Sequence, residues 1–298
     1  MDITEENPAV VQATDTIYEH CKQDILQRKT ESSIEEKLSL LAQLNEFKFG
    51  RSLIESKKLT RYWRHFLLTY PFQAETVTTP ALFSELMHQF PISLAMQQRY
   101  QIFLEQIQNR VKNDAKLLSI PSGLVEDLAY LNYKNIEEIE LIAWDDDAMT
   151  LEQARGICQT RGIAQWLTCV KEKSWALNEK EQFDVIACHG LTIYEKSNER
   201  VLDFYERAFH ALKPDGEFIS AYITPSPSED SECEWDFSNI NAAYLRKQNV
   251  VFFDVLNLED FYCRKTVETR KMLSQAGFEN IEFHFDKARM FPSFVASK

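Results

Sequence analysis

Phe183–Glu195 reads FDVIACHGLTIYE, and Val201–Pro225 reads VLDFYERAFHALKPDGEFISAYITP. The first opens on an apolar run, Phe183–Cys188, short enough for a strand buried on both faces. Gly190 marks its exit turn. Glu199–Leu212 has the apolar spacing of a helix, closed by the turn Lys213-Pro214-Asp215-Gly216. Glu217–Ile223 predicts the next strand. Strand, helix and strand in this order imply a parallel pair. Upstream, Lys116–Ile120, Glu140–Trp144 and Gln165–Val170 predict three more strands, with helices over Val125–Leu131 and Ala148–Arg161 between them. Downstream, Lys265–Ala276 predicts a helix stopped by Gly277, and Ile281–Phe285 and Phe291–Val295 predict two final strands. The whole describes an α/β, doubly wound and mostly parallel sheet. Thr224–Glu234, rich in serine, proline and acids, is expected to be a loop.

Before residue 113 the pattern is helical. Ser32–Phe49, Leu59–Leu68, Pro80–Phe90 and Ile92–Val111 carry helical spacing, and no glycine lies between Gly50 and Gly123. The expected organisation is a helical part, residues 1–113, acting as a cap or lid, and a sheet part, residues 114–298.

Composition narrows the function classes. Hydrophobic residues make up 44% of the 298, enough for a substantial core. The formal charge of −13 disfavours nucleic-acid backbones as partners. The N-terminus, MDITEENPAV, has no basic region followed by an apolar run, and no stretch approaches the length of a membrane span. Six cysteines without a C-x-x-C pair suit free thiols in a reducing compartment, so a cytoplasmic location and no metal site are expected. Glycine is scarce: seven residues, where nucleotide sites usually place several against the ligand.

Ligands of open parallel sheets bind at the carboxyl ends of the strands. The first strand ends in Ser119-Ile120-Pro121-Ser122-Gly123, either a ligand-holding turn before a helix or simply a tight connection. The second ends in Trp144-Asp145-Asp146-Asp147. Asp145 lies about 20 positions beyond Gly123, where a carboxylate can accept both hydroxyls of a ribose. These acids could equally start the next helix, and Asp147 is expected to cap it.

From "ALKPDGEF" through the terminal AGF turn and the two last strands, the sequence resembles class I S-adenosylmethionine-dependent methyltransferases over roughly residues 114–298. It resembles most a bacterial subgroup with a helical N-terminal extension. The resemblance implies a Rossmann-like fold with a terminal antiparallel hairpin. It implies S-adenosylmethionine as cofactor, S-adenosylhomocysteine as product and a small-molecule or protein acceptor. The family's first-strand acid falls at Ser119. Its three glycines fall at Pro121, Gly123 and Val125, of which only Gly123 is kept. The ribose acid falls at Asp145, beside Asp146. The acceptor for the adenine amine falls at Lys173, which cannot accept a hydrogen bond, leaving Ser174, Trp175 or backbone for that contact. His189 and Gly190 fall at the exit of the fourth strand, beside the cofactor. These departures leave a second reading open, a methyltransferase-fold protein that binds or regulates without catalysis. An NAD-dependent oxidoreductase is disfavoured because G-x-G-x-x-G is missing.

Methyl transfer to a protonated acceptor needs a base. His189 is the candidate, with a contact to cofactor or loop as its other reading. Tyr194 and Tyr222 could line an acceptor pocket or finish the core. Trp235, Arg264 and Arg289 could shape that pocket or serve packing and ion pairing, and His284 is expected to be structural.

Overall fold

The computed structural model describes residues 8–72, 79–258 and 261–298. In chain order its helices and strands begin with α1 (Pro8–Gln27), α2 (Ile34–Leu44), α3 (Lys48–Ser56), α4 (Arg61–Thr69), α5 (Ala81–His88) and α6 (Pro91–Gln108). There follow β1 (Lys116–Ser119), α7 (Glu126–Ala129), β2 (Glu140–Asp145), α8 (Ala148–Thr160), β3 (Leu167–Lys171) and β4 (Phe183–Cys188). The chain ends with α9 (Asn198–Ala211), β5 (Leu212–Ala221), α10 (Ala242–Asn249), α11 (Thr266–Gln275), β6 (Glu279–His284) and β7 (Ser293–Ser297). Two compact units result: Met1–Leu94 with Phe237–Asp260, and Ala95–Asp236 with Phe261–Lys298. The division therefore falls inside α6, where the sequence placed it near residue 113, and a later segment joins the helical unit.

In the helical unit the expected single helix over Ser32–Phe49 is two, α2 and α3, with a break at Asn45–Phe47. Ser33 caps α2, its Oγ accepting from Glu36 N–H at 3.1 Å. The chain then folds back so tightly that Gly50 lies against the end of α2, and a Cβ there would stand 2.0 Å from the Leu44 carbonyl oxygen. Only glycine permits this approach. Gly50→Ala should cost about 3 kcal/mol through overpacking. A melting temperature unchanged from wild type would contradict the turn. Aromatic rings fill the space beyond it: Phe47 meets Phe83 edge-on at 5.4 Å and Phe49 stacks on Trp63 at 4.8 Å. Helix α10, which the sequence did not reveal, continues as a wider turn over Val250–Val255. Arg246 pairs with Glu36, Lys247 with Glu85, and Gln248 Oε1 accepts from Ile92 N–H at 2.7 Å.

The second unit holds a seven-stranded sheet in the order β3-β2-β1-β4-β5-β7-β6. The first five strands are parallel, and β7 runs antiparallel to both β5 and β6. Leu117 and Leu118 in β1 and Val185–Cys188 in β4 are buried on both faces, which explains their unbroken apolar runs. One face packs Phe204, Tyr205 and Phe278 against Phe218 and Phe294. The other packs Phe103, Ile107, Leu128, Leu151 and Ala154 against Leu117, Ala143 and Val185. The expected turn at Lys213–Gly216 is an irregularity within β5, where Asp215 has φ +62° and pairing with β4 passes from Leu212 to Glu217. Strand order reverses between β1 and β4, so the crevice beyond their carboxyl ends is where a ligand site belongs. This is the expected Rossmann-like, doubly wound α/β sheet with its antiparallel terminal hairpin.

Candidate functional site

Four chain segments meet at that switch point. Beyond β1, Ile120 N–H donates to Ala187 O of β4 at 2.9 Å and Ser122 N–H to Trp144 O of β2 at 2.8 Å, so the turn is fastened to both neighbouring strands. Gly123 follows at φ +51° and donates its N–H to Asp145 Oδ2 at 3.2 Å. Asp145, fully buried, also accepts Asp147 N–H on Oδ1 at 3.1 Å. One carboxylate thus holds the glycine turn and the β2 exit in register. Asp147 caps α8 as expected, accepting Met149 N–H at 3.1 Å. Asp146 lies between the two acids on the β2 exit.

Val125 takes the conformation of a missing glycine. Its φ is +52° and its side chain is fully buried in the core. A left-handed L-residue costs roughly 1–2 kcal/mol, and a β-branched one is an outlier there. Val125→Ala loses packing and keeps that cost, whereas Val125→Gly sheds it. The glycine variant should therefore be about 1 kcal/mol more stable than the alanine variant, the reverse of the usual order. Thermal melting that ranks alanine above glycine would contradict the strain.

Two acids start α7, and both are buried. Glu126 Oε2 accepts Leu124 N–H at 3.1 Å, and Asp127 Oδ2 accepts from Ser119 Oγ at 2.7 Å. Tyr100 of α6 donates to Glu126 O at 2.7 Å, and burial, then the charges of Glu126 and Asp127, push its phenol pKa well above the ordinary value.

His189 follows β4 and is buried. Arg99 Nη2 lies 3.4 Å from its Nδ1, and the Phe103 and Tyr100 rings stand 4.7 and 6.0 Å away. A guanidinium can only donate, so in this contact Nδ1 is the acceptor. Gly190, at φ +101°, turns the chain into Leu191–Tyr194. Arg264 braces that turn. Its Nε donates to Asn198 Oδ1 at 2.8 Å, Nη1 to Thr192 O at 2.8 Å, and Nη2 to Glu195 O. Burial lowers its pKa, and Tyr205 and Glu195 oppose that shift.

After β3, Lys173 offers its carbonyl to Trp144 Nε1 at 3.3 Å, while its N–H goes to Glu172 Oε1 at 2.8 Å. Ser174 is buried. Trp175 packs edge-on against Phe204 at 5.5 Å, with the Arg200 guanidinium 4.8 Å from its ring.

The structure thus brings Ser119, Pro121, Gly123, Asp145 and His189–Gly190 to neighbouring strand ends, with Ser174 and Trp175 beyond β3. Tyr194 is 54% exposed and meets Phe261 at 5.9 Å. Phe261 lines a cleft of about 450 Å³ with Lys196, Glu229, Tyr262, Cys263 and Lys265. Burial, with Glu229 beside it, raises the Cys263 thiol to about 12. Tyr222 is buried, its hydroxyl 2.6 Å from Thr266 Oγ1. Trp235 donates to Thr224 Oγ1 at 3.1 Å, and Arg289 stacks 4.2 Å from the Phe285 ring. His284 sits 3.9 Å from Glu282 on β6, its pKa lowered chiefly by burial. Sequence reasoning missed Arg99, Glu126 and Asp127. Arg99 carried a signal, since it shares a helical stripe with Phe103 and Ile107. Among the described residues no His, Cys, Asp and Glu cluster could hold a metal, and no helix is long and apolar enough to cross a membrane.

No protein-family model matches the chain, and no curated protein matches it. Among solved structures, a possible exported protein from Bordetella parapertussis superimposes with a TM-score of 0.89 at 27% identity, covering 99% of each chain. The apo S-adenosylmethionine-dependent methyltransferase SibL gives 0.51 at 13% identity, over 99% of this chain and 78% of its own. Magnesium protoporphyrin IX methyltransferase ChlM from Synechocystis, with bound S-adenosylhomocysteine, gives 0.52 at 12% identity, over 84% and 98%. Strand order, terminal hairpin and these likenesses together make the fold that of Rossmann-like methyltransferases.

Proposed function

We propose that the chain binds S-adenosylmethionine at the β1–β4 switch point and transfers its methyl group to a small-molecule or protein acceptor. The carrying observation is Asp145, buried at the end of β2 and tied to the Gly123 turn at 3.2 Å. Gly123 would admit the cofactor, Asp145, with Asp146 beside it, would hold the ribose, and the Ser174–Trp175 segment and Gly190 would border the adenine and sulfonium ends. Ser119 and Pro121 would shape the floor of the turn.

The cofactor supplies a methyl carbon already activated by a sulfonium charge. The chain's own task is to orient the acceptor and keep water out. His189 would accept from Arg99 on Nδ1 at the exit of β4. Its role in this reading is to orient the acceptor or the β4 exit, and it becomes a base only if Arg99 gives up Nδ1. Phe261, which Tyr194 meets at 5.9 Å, lines the cleft through which we place the acceptor. The six cysteines are free, which suits a cytoplasmic location.

A second reading has one observation in its favour. Val125 and Pro121 stand where the fold's outer glycines belong, which fits a protein that keeps the fold without catalysis. Incubation with methyl-labelled S-adenosylmethionine and fractionated acceptors separates the two. Label transferred by wild type but not by Asp145→Ala supports the enzyme. Cofactor binding without transfer to any fraction supports the binding protein.

A further inference from the structure

The cleft lined by Phe261 lies between the β4 exit and the segment before α11, which are joined by Tyr262 N–H donating to Ile193 O at 2.9 Å. Lys196, Arg264 and Lys265 line it together with Glu229, Asp230 and Glu268, so cations and acids balance. Most of these groups are engaged within the chain. Lys265 pairs with Asp230, and Glu268 Oε2 accepts Lys265 N–H at 3.2 Å. Glu229 Oε2 accepts Ser226 N–H at 2.9 Å and the Ser226 hydroxyl at 2.8 Å. Arg264 gives its donors to Asn198, Thr192 and Glu195. Two donors are left over. Among the described residues no carboxylate pairs with the exposed Lys196 ammonium. Asn198 Oδ1 accepts from Arg264 Nε, which fixes the amide and leaves Nδ2, a donor, with no acceptor among the described residues. Phe261 and Tyr262 add aromatic rings, and Phe261 stays 36% exposed although Tyr194 meets it at 5.9 Å. An open ring beside two unused donors has the character of a binding surface.

Resting on the reading of this cleft as the acceptor's, we propose that its ligand is a small aromatic carboxylic acid, the carboxylate held by Lys196 Nζ and Asn198 Nδ2 and the ring laid against Phe261 and Tyr262. A volume of about 450 Å³ suits a small molecule. A carboxylate can accept from both donors at once, and the bond from the ammonium is charge-assisted. A ligand bearing an amine would instead compete for acids that Ser226 and Lys265 already serve.

The test titrates the full chain with para-hydroxybenzoate and para-hydroxyphenylacetate, each against its neutral amide, with tyramine as the cationic counterpart, followed by ligand-observed NMR. Wild type should bind each acid about 10-fold more tightly than its amide, the value of a charge-assisted hydrogen bond. Lys196→Met changes an exposed side chain, so the fold stands. It should weaken the acids about 10-fold and leave the amides within about twofold. Asn198→Asp keeps an oxygen for Arg264 and puts a negative charge where the amide donor was. It should weaken the acids at least as much, again sparing the amides. Equal binding of acid and amide, tighter binding of tyramine, binding of none of these probes, or a preference for acids that survives both variants would overturn the proposal. Titration of the same samples with S-adenosylhomocysteine separates this outcome from failure of the cofactor reading. A chain that binds S-adenosylhomocysteine but shows no preference for the acids retains the cofactor site and loses the proposal. A chain that selects the acids but does not bind S-adenosylhomocysteine retains the carboxylate site and loses the methyl-transfer reading.

Discussion

Arg264→Ala lowers the stability of the sheet unit by about 3–5 kcal/mol, the cost of leaving three acceptors without their charged donor. Its guanidinium serves Asn198 Oδ1 and the carbonyls of Thr192 and Glu195, while its own N–H donates to Ile223 O at 2.8 Å. Alanine leaves buried acceptors without their donors, each a loss of about 1–3 kcal/mol. Lysine does not restore them, because one ammonium cannot span the fork that three separated acceptors require. Chemical denaturation should therefore place Arg264→Lys nearer to Arg264→Ala than to wild type. The β4 exit should also loosen, seen as faster amide exchange over Leu191–Glu195. A lysine variant of wild-type stability would show that the residue acts as a charge and not as a brace.

Asp145→Ala is the largest change expected in binding. Two hydroxyls of a ribose hydrogen-bonded to one carboxylate, at about 1.5–3 kcal/mol each, amount to a loss of about 100-fold or more in cofactor affinity. The same substitution strips Gly123 and Asp147 of their acceptor, so it also disturbs the turn. Asp145→Asn separates the two effects. Its amide oxygen can still accept one N–H and its shape is kept, but its charge is gone. Titration should find the asparagine variant weakened about 10-fold, with a melting temperature closer to wild type than that of the alanine variant. Unchanged affinity in a folded Asp145→Ala would remove the ribose contact from the account.

Much of the sheet was legible because parallel strands buried on both faces write themselves as short apolar runs, and Phe183–Cys188 is the clearest of them. The Gly123 turn and Asp145 were legible for a related reason, since strand ends have fixed places in a doubly wound sheet. What surrounds His189 was not. Arg99, Tyr100 and Phe103 come from α6, some 90 residues earlier, and nothing local to His189 announces them. Nor was the break between α2 and α3 visible. It depends on the backbone of Leu44 meeting Gly50, a contact with no side-chain signature. Val125 shows the opposite limit. Its sequence suggests ordinary core, and only its φ of +52° reveals that it fills a position where glycine would be relaxed. Ser119 was visible as a lost acid, whereas Asp127 lay unremarked inside the helix expected over Val125–Leu131. Their 2.7 Å contact is what joins them.

Titration of the wild-type chain with S-adenosylhomocysteine, followed by calorimetry and by thermal shift, tests the central claim. Binding of one equivalent with a micromolar Kd and a raised melting temperature is the predicted result. No heat and no shift at millimolar ligand would contradict a cofactor site at the β1–β4 switch point.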